Sequence, residues 1–249
     1  MKKALVGVII HFFIAAYTVW GQDAMHFYDL GLKSSMAYKK IHYFTKAMEL
    51  DPGLTEAYAK RGMLYYFQEK YTETIQDFQR VAELKPFDSG ADIMLGLAFM
   101  KLENYDEAIS YFTRAIERDP QLASAYSHRS EAKRLKGMID DAIQDATRAI
   151  ELGGNERIIG GAFTTRSKAY RELGQIDRAD ADFKKALKLD PEQYMYSMLT
   201  STELLAESAS EASLPKRVSW MGAFLIVALL FVVIFKLMIS SPQKKDHDH

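Results

Sequence analysis

The chain has 249 residues, a formal net charge of -1 and no cysteine. That length suits one ordinary domain or a short repeat array with appendages, and the near-neutral balance speaks against a nucleic-acid binder, which carries a strongly basic face. Without cysteine there is no disulfide, no thiolate zinc site, no cysteine nucleophile and no lipid-modified cysteine.

Met1-Lys2-Lys3 precede an apolar stretch from Ala4 to Gly21. Two lysines, an apolar run and a small residue before Gln22 match the layout of a secretory signal, so residues 1–21 read as a signal peptide or, if uncleaved, a signal anchor. His11 interrupts the run, and Val19-Trp20-Gly21 follows the small-x-small cleavage rule only loosely.

From there to Pro191 the sequence repeats. Pro52, Pro86 and Pro120 stand 34 residues apart, Gly154 follows at the same interval, and Pro191 comes after 37 more. Aligned on these positions, Gly62, Gly96, Ser130 and Ser167 form a small-residue column, and Phe44, Phe78, Phe112, Ala146 and Phe183 a mostly aromatic one. Tyr58, Gly62 and Tyr65 lie on one helix face at steps of four and three, and Thr74, Phe78 and Val81 on another. Short turns separate the two helices, as at Glu69-Lys70, Lys136-Gly137 and Leu173-Gly174. A small residue on the first helix admits a close partner and an aromatic of the second fills the adjoining space. Proline then ends the second helix by disfavouring helical geometry in the residue before it.

Ala57 to Tyr65, followed by Tyr71, Phe78 and Pro86, and Phe99 to Ile109 in the next period, resemble tetratricopeptide repeats over roughly Lys33 to Pro191. The resemblance implies an all-α fold, a right-handed α-solenoid of about four to five helix pairs with a capping helix. The expected parts are a degenerate half-repeat at 22–53 and repeats at 54–87, 88–121, 122–155 (with a degenerate end) and 158–191. The first of these matches only in its second helix. The fourth has Lys133 in an aromatic column, Ala146 for Phe and Gly153-Gly154 for Asp-Pro, and three extra residues within Gly153 to Gly161 predict a looser joint.

Residues 192–208 read as a capping helix, as repeat arrays require, and 209–218 as a tether. Residues 219–239, from Trp220 to Ile239 almost wholly apolar, read as a transmembrane helix, since about 20 helical residues rise about 30 Å. Lys236 can snorkel at its end, and 240–249 is a polar tail. A signal followed by a stop-transfer segment places the repeats outside the cytoplasm, single-pass or two-pass if the signal is uncleaved; the lysine pair suits a bacterial inner membrane with the repeats facing the periplasm. The alternative is a tail-anchored protein with cytosolic repeats.

The resemblance implies that the first helices line a concave groove that binds a protein or peptide segment. Its inner positions carried over are Lys60, Met63, Tyr66 and Phe67, then Leu97, Met100 and Lys101, then His128 and Arg134, and finally Lys168 and Arg171. The first half is apolar and Met-rich, the second polar and basic, which suits a partner with an apolar and an acidic part. No groove position carries the Asn that the family's carboxylate clamp needs. The sequence has no phosphate-binding glycine loop and no Gly-x-Ser-x-Gly nucleophile motif, so neither enzyme activity, metal nor cofactor is expected, Asp246-His247-Asp248-His249 reading as a solvated tail. The expected function is a membrane-anchored adaptor with a protein partner and a lipid bilayer around its span; the alternative is a self-assembling scaffold, a homo-oligomer.

Overall fold

The structure, a computed structural model, describes residues 23–189. The expected signal segment, capping helix, tether, membrane span and tail lie outside the described residues. Among the described residues there are ten helices and no strand. They are α1 (23–33), α2 (Ala37–Leu50), α3 (Thr55–Phe67), α4 (Tyr71–Leu84), α5 (Ser89–Lys101), α6 (Tyr105–Arg118), α7 (Ala123–Leu135), α8 (Ile139–Leu152), α9 (Glu156–Glu172) and α10 (Ile176–Leu189). Odd-numbered helices pack on the even-numbered helix that follows and on the one before, so each pair touches its neighbours in chain order, as in a solenoid. No helix among the described residues is long and apolar enough to cross a membrane.

Helix spacing within a pair is set by the small-residue column. A Cβ on Gly62 would lie 2.9 Å from the Phe78 ring, and one on Gly96 would lie 2.5 Å from Phe112. Gly31 stands in the same relation to Phe44, where a Cβ would come within 2.5 Å of the ring. The segment expected as a half-repeat over 22–53 therefore has both helices. Its first helix fits the repeat pattern poorly because Gly31 sits only 13 positions before Phe44, against 16 between Gly62 and Phe78. In the fourth and fifth pairs a serine replaces glycine: Ser130 donates to the Ser127 carbonyl at 2.7 Å, and Ser167 to the Ala179 carbonyl at 2.7 Å. Alanines 47, 108, 115, 142, 146, 149, 179 and 186 complete the seams, all buried.

The turns within pairs share one device. The amide of Lys70 donates to the Tyr65 carbonyl at 2.9 Å, and Asn104, Met138 and Gln175 repeat the bond to Phe99, Lys133 and Tyr170. This six-to-one closure needs a left-handed residue just before it, supplied by Glu69 (φ 60°), Glu103 (φ 61°), Gly137 (φ 86°) and Gly174 (φ 72°). Between pairs, the residues before Pro52, Pro86 and Pro120 leave the helical region, Asp51 (φ -133°) and Asp119 (φ -138°) being extended and Lys85 standing at φ -128°. Where Gly153-Gly154 replaces Asp-Pro, both glycines have positive φ.

The expected looser joint near Gly153–Gly161 is not found. The three extra residues are helical, making α9 17 residues long where α7 has 13, with Asn155 capping its first turn through the Ile158 amide. The longer α9 packs directly on α7, where Thr165 donates to Glu131 at 3.0 Å and Arg134 to Glu172 at 2.6 Å.

Gly96→Ala is expected to lower stability by about 1–3 kcal/mol through overpacking against Phe112, whereas Glu103→Gly should raise it by about 1 kcal/mol by removing left-handed strain. Urea unfolding midpoints of the two variants check both signs.

Candidate functional site

The first helices of successive pairs, α3, α5, α7 and α9, carry every predicted groove residue. On α3, Lys60, Met63 and Phe67 are exposed, Phe67 to 76 %. Tyr66 is half-buried, its ring 6.1 Å from Phe67 and 5.6 Å from Tyr71, so three aromatic rings adjoin at the end of α3. On α5, Leu97 and Met100 pack against the cluster of Ala108, Phe112 and Ala132 and expose only part of their surface, while Lys101 is exposed at the helix end. Lys60 and Lys101 have no carboxylate partner among the described residues.

On α7 the predicted residues are engaged internally. His128 stacks on Phe112 with ring centroids 5.7 Å apart. Burial, aided by the positive charge of Arg157, pulls its pKa down from 6.5 to about 4, so the imidazole is neutral at ordinary pH. Arg134 grips Glu131 through two nitrogens at 3.0 and 2.9 Å and reaches Glu172 at 2.6 Å. Burial pushes Glu131 up, but hydrogen bonds and charge from Arg134, the nearby Lys168 charge and the Thr165 hydroxyl outweigh it and hold the carboxyl below its ordinary range. On α9, Lys168 is exposed and Arg171 is exposed but paired with Asp180 on α10 at 3.1 Å. The face thus keeps two zones, an open apolar and aromatic one on α3 with a half-covered extension on α5, and a polar one on α7 and α9 whose charges mostly satisfy one another.

A recurring polar tie was missed in the sequence. Arg61 on α3 donates to both oxygens of Asp77 on α4, at 2.9 and 2.7 Å, and to the Thr45 hydroxyl on α2 at 2.9 Å. Arg129 repeats this with Asp145 at 2.8 Å for each oxygen and with Thr113 at 3.0 Å. Arg166 repeats it with Asp182 at 2.6 and 3.0 Å and with Thr147 at 2.8 Å. One guanidinium therefore joins three helices of two consecutive pairs, and its fork suits the bidentate carboxylate. Lys133, out of place in an aromatic column, adds a second cation to Asp145 at 2.8 Å. The signal was readable: Arg, Asp and Thr recur in phase at positions 61, 129 and 166, 77, 145 and 182, and 45, 113 and 147.

The pair α5–α6 departs from this tie by exchanging whole partners. The positions of Arg and Asp hold Leu95, fully buried, and Tyr111. At two other positions, where the other repeats carry an aromatic (Tyr58, Tyr126, Phe163) and a leucine (Leu84, Leu152, Leu189), this pair has Asp92 and Arg118. Asp92 is fully buried, ion-paired with Arg118, and its Oδ1 lies 3.2 Å from Arg114 without a hydrogen bond among the described residues. Burial pushes its pKa up against the opposing pull of Arg114 and Arg118.

Tetratricopeptide-repeat family models match residues 55–88, 93–122 and 161–193. The chain carries tetratricopeptide repeats at these positions, and the stretch between them is the one with Lys133, Ala146 and Gly153-Gly154. Similar solved structures include the MamA protein, 24% identical over 71% of this chain and 96% of that one, with a TM-score of 0.60. MamA from residue 41 to its end, from Desulfovibrio magneticus RS-1, is 16% identical over 72% of this chain and 97% of that one, with a TM-score of 0.59. YrrB, described as a TPR protein with an unusual peptide-binding site, is 22% identical over 66% of this chain and 84% of that one, with a TM-score of 0.52. At these identities the likeness is one of fold. No curated protein sequence matches the chain.

Two outcomes follow. Giving this pair the aromatic and leucine of the other repeats with Asp92→Tyr and Arg118→Leu together should stabilise the array by about 1–4 kcal/mol, while Arg118→Leu alone, which removes the hydrogen-bonded partner of a buried carboxylate and leaves it Arg114 only, should cost about 1–3 kcal/mol; a double-mutant cycle by chemical denaturation reads the sign reversal. His128 stays neutral in the folded chain while the unfolded chain protonates it, so stability should fall as pH drops from about 6.5 to about 4 and level off below. His128→Phe should remove that contribution from the pH dependence of the unfolding midpoint.

Proposed function

We propose that the chain is a membrane-anchored adaptor that acts by binding, without catalysis, holding a segment of another protein against the face built by its odd-numbered helices. The observation that carries this reading is the exposed apolar zone on α3, Met63 and Phe67 beside half-buried Tyr66, with exposed Lys60 on the same helix and exposed Lys101 at the end of α5. Fully burying side chains of this size is worth about 1.5–3 kcal/mol each, and rigid aromatics near the middle of a contact are the usual anchors of binding energy. These lysines favour a partner that has carboxylates as well as an apolar part. The solved structure of YrrB, named for an unusual peptide-binding site, is a case of this fold in that use.

Anchoring rests on the apolar segments Ala4 to Gly21 and Trp220 to Ile239. Their order, signal first and stop-transfer second, favours repeats held outside the cytoplasm, at the periplasmic side of a bacterial inner membrane; a tail-anchored arrangement reverses the side.

A photo-crosslinking residue at Phe67 and, separately, at Lys168 in intact membranes should yield a discrete adduct with a second protein. Tyr66→Ala combined with Phe67→Ala should weaken its capture by roughly 10-fold or more while helicity stays unchanged. Adducts only between copies of the chain transfer the face to a self-assembling scaffold, and an unaltered yield in the double variant with intact helices removes the groove.

A further inference from the structure

We infer that the lysine-rich turn between α1 and α2 docks on a bilayer surface rich in anionic phospholipid headgroups. Leu32 (47 % exposed), Met36 (50 %) and Tyr38 (65 %) stand out from the turn that joins α1 to α2. Lys33, Lys39 and Lys40 lie among them in the same stretch of chain, and none of the three has a carboxylate partner among the described residues. From Leu30 to Met48 there is no acidic residue at all, although the whole chain has 33 Asp and Glu against 32 Lys and Arg. The turn is therefore cationic in a protein that is nearly neutral.

Apolar side chains interleaved with unpaired lysines are the chemistry of an interfacial contact. The methionine, leucine and tyrosine reach into the boundary between headgroups and acyl chains, and the ammonium groups meet the phosphates. Phosphodiester charge answers the lysines as a neutral surface does not. Continuity points the same way: the apolar run from Ala4 ends at Gly21, two residues before α1 begins at residue 23 in the described chain. This inference rests on the membrane anchoring proposed above. It adds to it an orientation, with the first pair against the lipid and the α3 zone left to a partner.

The test uses the full chain, which has no cysteine of its own. Tyr38→Cys gives one attachment point for a fluorophore, and Ser110→Cys on exposed α6 gives a control. Each labelled chain is reconstituted in nanodiscs that contain a headgroup-quencher lipid, made of phosphatidylcholine alone or of phosphatidylcholine with phosphatidylglycerol. The label at position 38 should be quenched in the phosphatidylglycerol discs and less so in the neutral ones, and the label at 110 in neither. Changing Lys33, Lys39 and Lys40 to Gln together should lower the docked-to-undocked ratio by about 100-fold, each lysine being worth about a factor of five. A chain that enters the discs with position 38 unquenched, or quenched equally whatever the lipid charge and the lysines, overturns lipid docking and leaves anchoring intact. Energy transfer between labels on two copies, independent of lipid, assigns the face to a second copy and also overturns it. A chain that stays out of the discs, unquenched, overturns docking and anchoring together.

Discussion

The distance between the two helices of each pair depends on a missing side chain. Glycine at positions 31, 62 and 96 lets a phenylalanine ring from the second helix lie where a Cβ would otherwise be, closer than 3 Å to its nearest ring atom. With the ring seated, the alanines of the seam are drawn into contact and the turn between the helices has to be short. A short turn at that separation closes with one left-handed residue, which is why the same backbone bond recurs at four turns whether glycine or glutamate provides it. In the last pairs serine replaces glycine and satisfies its hydroxyl on a backbone carbonyl, so the close approach survives at the cost of one polar group that never lacks a partner.

Neighbouring pairs are joined by a second and different kind of contact. Apolar seams between helices are tolerant of sliding, whereas a guanidinium forked onto a carboxylate and held by a hydroxyl of the preceding pair accepts one register only. Such ties change as wholes. In α5–α6 both partners of the tie become uncharged, Leu95 and Tyr111, and a new buried ion pair, Asp92 with Arg118, stands at positions where the other repeats carry an aromatic and a leucine. Changing one partner alone would strand a charge in the interior, and a stranded charge costs more than the pair is worth.

The same accounting shapes the face of the odd-numbered helices. Residues that α7 turns toward α9 are consumed by Glu131, Thr165, Arg134 and Glu172 in holding the longer ninth helix. On α3 the equivalent positions hold Met63, which is exposed, and Tyr66, which is half-buried beside exposed Phe67. Openness to a partner and rigidity of the joint are thus divided between the two ends of the array.

Period, helix pairing, the glycine-aromatic seams and the pre-proline helix ends were legible in the residues, because each is a local rule that repeats at a fixed interval. Where the local rule bends, the sequence became silent or misled. Gly31 fell out of phase with the glycines of the later pairs because its hairpin is shorter. The three extra residues within Gly153 to Gly161 looked like slack in a joint, yet they lengthen a helix that packs on α7, with Asn155 as its cap. Among the groove residues, composition marked the apolar and basic halves, but whether Leu97 and Met100 face a partner or the core, and whether Arg134 is free or spent, was decided by which side chains from the next pair came within reach. A side chain's identity sets what it can bind; only packing sets whether it is already bound.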